Sequence, residues 1–178
     1  MARLIALLRA VNVGGRKLPM AELRALCGNL GWEDVETYIQ SGNLVFSAPG
    51  KAEALETKLE KAIKERFGFH SEVMVRSASQ WAKLLAANPF GEASEAEPNR
   101  VLVGLPKSEL ASGAAGAIAA RASAGERVEA AGGALWFHYP EGVGTSKITP
   151  SLIDRSAGSP VTARNWRTML KLHEMAWE

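Results

Sequence analysis

Four short polar stretches hold the residue types best able to do chemistry in this chain. The first is Arg9-Ala10-Val11-Asn12-Val13-Gly14-Gly15-Arg16-Lys17, a glycine turn between the apolar run Leu4-Ile5-Ala6-Leu7-Leu8 and an amphipathic segment. Gly14 and Gly15 allow a positive φ or a close backbone approach to a ligand. Arg9, Asn12, Arg16 and Lys17 supply donors that suit an anion at a helix N-terminus. The second stretch, Gln40-Ser41-Gly42-Asn43, falls at a hairpin; the third is Ser146-Lys147, closing a glycine loop that begins at Gly142; the fourth is Arg164-Asn165. Arginine presents a planar fork that fits carboxylate or phosphate and is costly to bury unpaired, so Arg9 and Arg164 are either ligand contacts or members of structural ion pairs. Asn12 and Asn43 are also ordinary turn formers, and Gln40 and Ser41 also serve to close a hairpin. The candidate ligand-binding set is Arg9, Asn12, Gly14, Gly15, Gln40, Asn43, Ser146, Lys147, Arg164 and Asn165.

No catalytic residue follows from these patterns. Gly142-Val143-Gly144-Thr145-Ser146-Lys147 has a superficial likeness to a phosphate-binding loop, but it lacks the G-x-x-x-x-G-K-[ST] spacing and places serine before lysine. Nucleotide hydrolysis is not supported. His70, His138 and His173 sit at no metal-ligand spacing, so neither a metal nor a cofactor is expected, and His138 reads as a satisfied strand residue. There is no G-x-S-x-G elbow. Cys27 is the single cysteine, which excludes an intramolecular disulfide framework and points to a reducing, cytoplasmic location. It falls on a helical apolar stripe and reads as a core residue rather than a reactive thiol.

These stretches need elements to position them. With 178 residues, 47% of them hydrophobic and 22% charged, the chain can build an ordinary core without staples. A formal charge of +2 lacks the dense positive field of sequence-independent nucleic-acid binders, and the run Leu4 to Leu8 is too short for a signal peptide's core or a membrane span. Arg3 to Leu8 lacks polar alternation and reads as a strand buried on both faces. Met20, Leu23, Leu26, Cys27 and Leu30 recur at helical spacing over residues 19 to 30, stopped by Gly31. Val35 to Gln40 and Leu44 to Ser47 form an antiparallel hairpin around Ser41-Gly42-Asn43. A second amphipathic helix carries Leu55, Leu59, Ala62 and Ile63, with Glu60 and Lys64 on its solvated face. Val73-Met74-Val75 supplies a fourth strand. The order β-α-β-β-α-β over residues 3 to 76 is that of the ferredoxin-like unit.

Ser77-Ala78-Ser79-Gln80 is a capping box opening a helix with Trp81, Leu84 and Leu85, ended by Asn88-Pro89. Gly91 to Asn99 is linker-like, so the expected organisation is a first subdomain over 1–87, a linker over 88–99 and a second subdomain over 100–178. In the second part, an alanine-rich helix spans Ser108 to Ala124. Val128 to Ala131 and Leu135 to Tyr139 form a hairpin around Gly132-Gly133, and Ile148, Leu152 and Ile153 lie on a short helix. Thr162 caps a final helix beginning near Arg164-Asn165-Trp166-Arg167, with Met169, Leu170 and Leu172 available for burial. Arg3-Leu4-Ile5-Ala6-Leu7-Leu8 is echoed by Arg100-Val101-Leu102-Val103-Gly104-Leu105, and Gly42-Asn43-Leu44-Val45-Phe46 by Gly133-Ala134-Leu135-Trp136-Phe137. The expected fold class is α+β: a ferredoxin-like (βαββαβ) N-terminal half followed by a second, related α+β half packed against it, with a pocket between them.

The combination Ala6-Leu7-Leu8-Arg9-Ala10-Val11-Asn12-Val13-Gly14-Gly15, Met20-Ala21-Glu22-Leu23-Arg24, Tyr38-Ile39-Gln40-Ser41-Gly42-Asn43, Asn88-Pro89-Phe90, Ser146-Lys147 and Thr162-Ala163-Arg164-Asn165-Trp166 closely resembles the bacterial domain-of-unknown-function family 1697 (DUF1697) over nearly the whole chain. Ala10 and Val11 stand where the resemblance leads one to expect Gly and Ile. It implies a compact α/β protein with a ferredoxin-like N-terminal part and carries over no catalytic residue. The functional expectation is a cytoplasmic protein that binds an anionic small molecule between its halves. One alternative is an enzyme at the same site, with Lys147 or Arg164 as electrostatic stabiliser and Ser146 as participant. The other, nucleic-acid binding on a ferredoxin-like sheet, ranks last: Gly42-Asn43-Leu44-Val45-Phe46 and an aliphatic first strand lack the stacking aromatics of RNA-recognition modules. The sequence specifies no oligomeric state and no membrane partner.

Overall fold

The computed structural model of the chain describes residues 3–177. In chain order it contains β1 (Arg3–Leu8), α1 (Met20–Asn29), β2 (Glu33–Thr37), β3 (Asn43–Ser47), α2 (Ala52–Phe67), β4 (Val73–Ser77), α3 (Ala78–Ala86) and α4 (Gly91–Ala96). These are followed by β5 (Val101–Pro106), α5 (Ala114–Ala119), β6 (Arg127–Ala131), β7 (Ala134–His138), α6 (Pro150–Ala157), β8 (Val161–Asn165) and α7 (Trp166–Ala176). The described residues thus form a mixed α+β fold with seven helices and two four-stranded antiparallel sheets, ordered β2-β3-β1-β4 and β6-β7-β5-β8. Two compact units can be separated: one reaches Ala82 and includes the segment from Leu172, and the other is Lys83–Lys171. The divisions fall inside α3 and α7.

In the first unit, β1 lies between β3 and β4, with Ile5 opposite Val45 on one side and Arg76 on the other. This central strand is buried on both faces, which is why its sequence is apolar at successive positions. Side chains alternate faces: Ala6 and Leu8 join the core formed with Leu23 and Cys27 of α1 and Leu55, Leu59 and Ile63 of α2, while Ile5 and Leu7, pointing the other way, are buried as well. Trp32 stacks on Phe46 in that core, with ring centroids 4.3 Å apart. Burial pushes the Cys27 thiol up to about 12, so it acts as a small apolar side chain. Helix α2 ends at Gly68, whose left-handed conformation lets its N–H reach the Lys64 carbonyl.

The acidic residues of α2 are not simply a solvated face. Glu56 and Glu60 accept the backbone N–H groups of Val75 (2.8 Å) and Val73 (3.0 Å), donors on the outer edge of β4. One helical turn between two carboxylates matches two residues along a strand, so α2 protects an edge that would otherwise present open hydrogen-bonding groups.

The second unit has β5 between β7 and β8 and a core of Ala114, Ile118, Leu135, Phe137, Tyr139, Ile148, Leu152 and Ala157. Gly132 and Gly133 both have positive φ (61° and 78°), as a tight two-residue hairpin requires. Thr149 caps α6 by accepting from Leu152 N, and Gly158 ends that helix.

Four further local features differ from the expectation. Residues 88–99 contain α4, anchored by the Asn88 side chain donating to Ser94 Oγ (2.8 Å) and accepting from Phe90 N (2.8 Å); Glu and Ala in this stretch are good helix formers, which composition alone assigns to a linker. Thr162 to Asn165 lie in β8, where burial alternates with period two, and the cap of α7 is Asn165, accepting from Thr168 N at 2.9 Å. Leu170 on α7 is 45% exposed. Helix α5 covers only Ala114–Ala119 of the alanine-rich segment, which is bracketed by Gly113 and Gly125 at positive φ and offers few large side chains to bury.

Gly42, in the turn between β2 and β3, has φ +89°, and a Cβ there would lie 2.8 Å from both Leu8 Cβ and Val11 Cγ2. Gly42→Ala therefore combines a strained backbone with overpacking and is expected to cost about 2–4 kcal/mol. Urea unfolding checks this: the midpoint falls with the m value unchanged, and an unaltered midpoint would show that the turn has room to give.

Candidate functional site

The segment between β1 and α1 is organised by Asn12. Its φ of +57° is one that asparagine tolerates, and its side chain is fully engaged: Nδ2 donates to the Leu18 carbonyl (3.0 Å) and the Gln40 carbonyl (2.6 Å), and Oδ1 accepts from Leu18 N (2.9 Å). These bonds close residues 12–18 into a loop and tie it to the β2–β3 turn. Inside the loop, Asn12 N donates to Arg16 O (2.7 Å) and Arg16 N to Val13 O (3.0 Å), with Gly14 and Gly15 at φ +54° and +80°. Ala10 also sits at positive φ (55°), the conformation that the glycine expected there adopts without strain.

Arginine 16 braces the loop from outside. Its Nε donates to Ala10 O (2.7 Å), its Nη2 donates to His70 O, and its guanidinium lies 4.5 Å from the centre of the Phe69 ring. Arg9 is held in a structural ion pair with Glu72 (3.4 Å), whose other oxygen lies 3.5 Å from His70 Nε2, and Ser71 Oγ donates to the Arg9 carbonyl (2.6 Å). Asn43 is buried, donating to Tyr38 O (2.8 Å) and Ser41 Oγ (2.9 Å). Both side chains thus hold the turns in place.

The braced loop leaves an open cleft of about 460 Å³. Its walls are Asn12 to Lys17, then Pro19 and Met20 where α1 begins, and Gln40 from the β2–β3 turn. The charged residues lining it are Arg16 and Lys17, both cationic. Lys17 is exposed and has no hydrogen-bond or ion-pair partner among the described residues. The N-terminal turn of α1, a ten-residue helix, adds partial positive charge on the same side. A space of this size falls within the usual range for small-molecule sites, roughly 300–1,000 Å³.

Of the residues singled out by sequence, the structure brings Asn12, Gly14, Gly15 and Gln40 together on this cleft, while Arg9 and Asn43 do not line it. Val13, Pro19 and Met20 line it too. Val13 is signalled in the sequence as an apolar residue inside a polar glycine turn, whereas Pro19 and Met20 read only as the start of a helix.

Ser146, Lys147, Arg164 and Asn165 belong to the second unit. Ser146 Oγ donates to Glu126 (2.7 Å) and accepts from Ile148 N (3.1 Å), pinning its loop to the turn before β6. That bond, with further backbone N–H bonds to the carboxylate, holds the Glu126 carboxyl below its ordinary value, and burial, with Glu126 nearby, pushes the Tyr139 hydroxyl up. Lys147 is exposed. Arg164 is buried in β8, its Nη1 donating to Thr162 Oγ1 (2.7 Å) and Ala163 O (2.9 Å), and burial pulls it down to about 10. Arg127 Nη2 lies 3.0 Å from His138 Nδ1; a guanidinium only donates, so Nδ1 accepts and the ring proton sits on Nε2, facing Glu97 at 3.2 Å. Among the described residues, no three His, Cys, Asp or Glu side chains are grouped to hold a metal ion, and no helix is long and apolar enough to cross a membrane.

The sequence profile of the family described as "Protein of unknown function (DUF1697)" matches residues 1–136. The chain belongs to DUF1697. The cleft, its glycine turn and the whole first sheet lie inside the matched stretch. A solved structure, that of conserved bacterial protein SP0830 from Streptococcus pneumoniae, is similar over 98% of this chain and 98% of that one, with a TM-score of 0.72 and 24% identity. At that identity the likeness shows the fold alone. No curated protein matches this DUF1697 chain.

The Glu126 carboxyl supplies the pH dependence expected of the second unit. A folded-state pKa below the ordinary 4.5 contributes stability that is present above about pH 4.5 and lost as the pH falls through the lower folded value. Ser146→Ala removes the largest cause of the shift, so its stability is expected to fall less steeply than wild type on acidification below that pH. Chemical denaturation across an acid pH series checks this; identical slopes would show that the Ser146 bond does not set the Glu126 pKa.

Proposed function

We propose that this DUF1697 protein binds a phosphate- or carboxylate-bearing small molecule in the cleft beside the glycine turn of its first unit. The observation that carries the reading is the character of the wall: its charged members are both cations, one of them, Lys17, exposed and uncommitted. Backbone N–H groups at glycines and an ammonium on a flexible stem are the ordinary means of holding an oxyanion. The ligand set then keeps Asn12, Gly14, Gly15 and Gln40 of the expected residues and gains Arg16 and Lys17, with Asn12 and Arg16 shaping the cleft.

Each sheet is built from the succession β-α-β-β-α-β with its first strand central, which supports a ferredoxin-like reading of both units and an internal duplication. A further correspondence supports the duplication: Val73-Met74-Val75-Arg76-Ser77 and Val161-Thr162-Ala163-Arg164-Asn165 both run directly into a helix. Arg76 and Arg164 each donate to the preceding carbonyl at 2.9 Å, and Ser77 and Asn165 each cap the helix that follows. The duplicated units differ at the site. After β5 the chain runs Lys107-Ser108-Glu109-Leu110 with no glycine turn, so one ligand per chain is expected. A single buried thiol suits a reducing, cytoplasmic setting.

Calorimetric titration with inorganic phosphate tests the reading. Wild type is expected to bind one equivalent saturably. Lys17→Glu is expected to lose tenfold or more in affinity, since a hydrogen bond to a charged group is worth about 1.5–3 kcal/mol, with little change in unfolding midpoint. Arg9→Ala should do the reverse, lowering stability and sparing binding. Unchanged affinity in Lys17→Glu would overturn the proposal.

A further inference from the structure

The cleft has room for more than an oxyanion. At about 460 Å³ it is larger than a tetrahedral oxyanion beside Lys17 would fill. Part of the wall is apolar: Val13 on the loop, then Pro19 and Met20 at the start of α1. Val13 is 56% exposed, as is Ile39 at 52%, the chain neighbour of Gln40 on the cleft's other side. Ile39 has φ +49°, a conformation that a β-branched residue adopts at a cost of about 1–3 kcal/mol. Two large apolar side chains are thus kept out of the core at the two turns that form the cleft, one of them against its backbone preference. Methionine is the side chain best able to fit itself to a flat ring, through sulfur–aromatic contact. The Gln40 amide offers a donor and an acceptor together, which suits a ring bearing heteroatoms.

We propose that the ligand is an aromatic or heteroaromatic anion, its charged group at Lys17 and the glycines and its ring against Val13 and Met20. This inference rests on the anion-binding reading above, and it adds a ligand class that the charges alone do not define.

The test compares each anion with and without a ring, inorganic phosphate against phenyl phosphate and acetate against benzoate, titrated into the full chain by calorimetry. For whichever anion binds, the aromatic member is expected to bind at least tenfold tighter. Val13→Ser, an exposed position, is expected to remove most of that advantage while leaving the ring-free anion unchanged, and Lys17→Glu to weaken both members of the pair. Equal affinity within a pair, or a ring advantage that survives in both Val13→Ser and Met20→Ala, overturns the aromatic inference and leaves the anion site standing. Absence of binding by all four compounds removes both.

Discussion

The first unit depends on one side-chain amide. Asn12 spends its hydrogen-bonding capacity on the two backbone groups of Leu18 and the carbonyl of Gln40, and in doing so fixes two turns against each other. Each such bond contributes about 1 kcal/mol net, but leaving the partners unmet costs more, so the clamp is cooperative with the loop it closes. The rest of the site follows geometrically. With both ends of the loop held, Gly14 and Gly15 must take left-handed φ, Lys17 is left facing solvent, and Gly42 must lack a side chain because the turn rests on Leu8 and Val11. The cleft is the space that this clamped arrangement cannot fill.

The contrast between Arg9 and Lys17 shows how polar residues divide between architecture and availability. Both stand in the same nine-residue stretch and look alike in sequence. Arg9 meets Glu72, 63 residues away, and is spent on the fold. Lys17, a strongly hydrated ammonium on a flexible stem, has no such partner among the described residues. Ser146 and Asn165 are both spent on the fold as Arg9 is, one pinning a loop through Glu126 and the other capping α7. The polar groups with the strongest sequence signals are therefore mostly those the fold consumes.

Local rules made much of the fold legible. The unbroken apolar run of β1 announces a central strand buried on both faces, and the Ser77–Gln80 capping box forms with both of its reciprocal bonds, 2.8 and 3.1 Å. The Gly132-Gly133 hairpin turn is equally local. Where the sequence misleads, a competing local preference or a distant partner decides. Thr162 to Asn165 look like a cap and a first helical turn, yet pairing with β5 extends them, and the cap moves three residues on to Asn165. Glu60 looks like half of an i,i+4 surface pair, yet β4 uses it to satisfy Val73. The candidate cleft was half legible: the glycine turn marks its place, but the apolar wall of Pro19 and Met20 reads as the start of an amphipathic helix until the clamp at Asn12 shows which way the loop faces.

The most direct measurement is a two-dimensional amide NMR titration of the uniformly labelled chain with phenyl phosphate. Saturable shifts concentrated at Val13, Gly14, Gly15, Lys17 and Gln40, with the amides of Asn43, Ser146 and Arg164 unmoved, are the predicted result. Shifts absent from the glycine turn, or centred on the second unit, would contradict the assignment of the site.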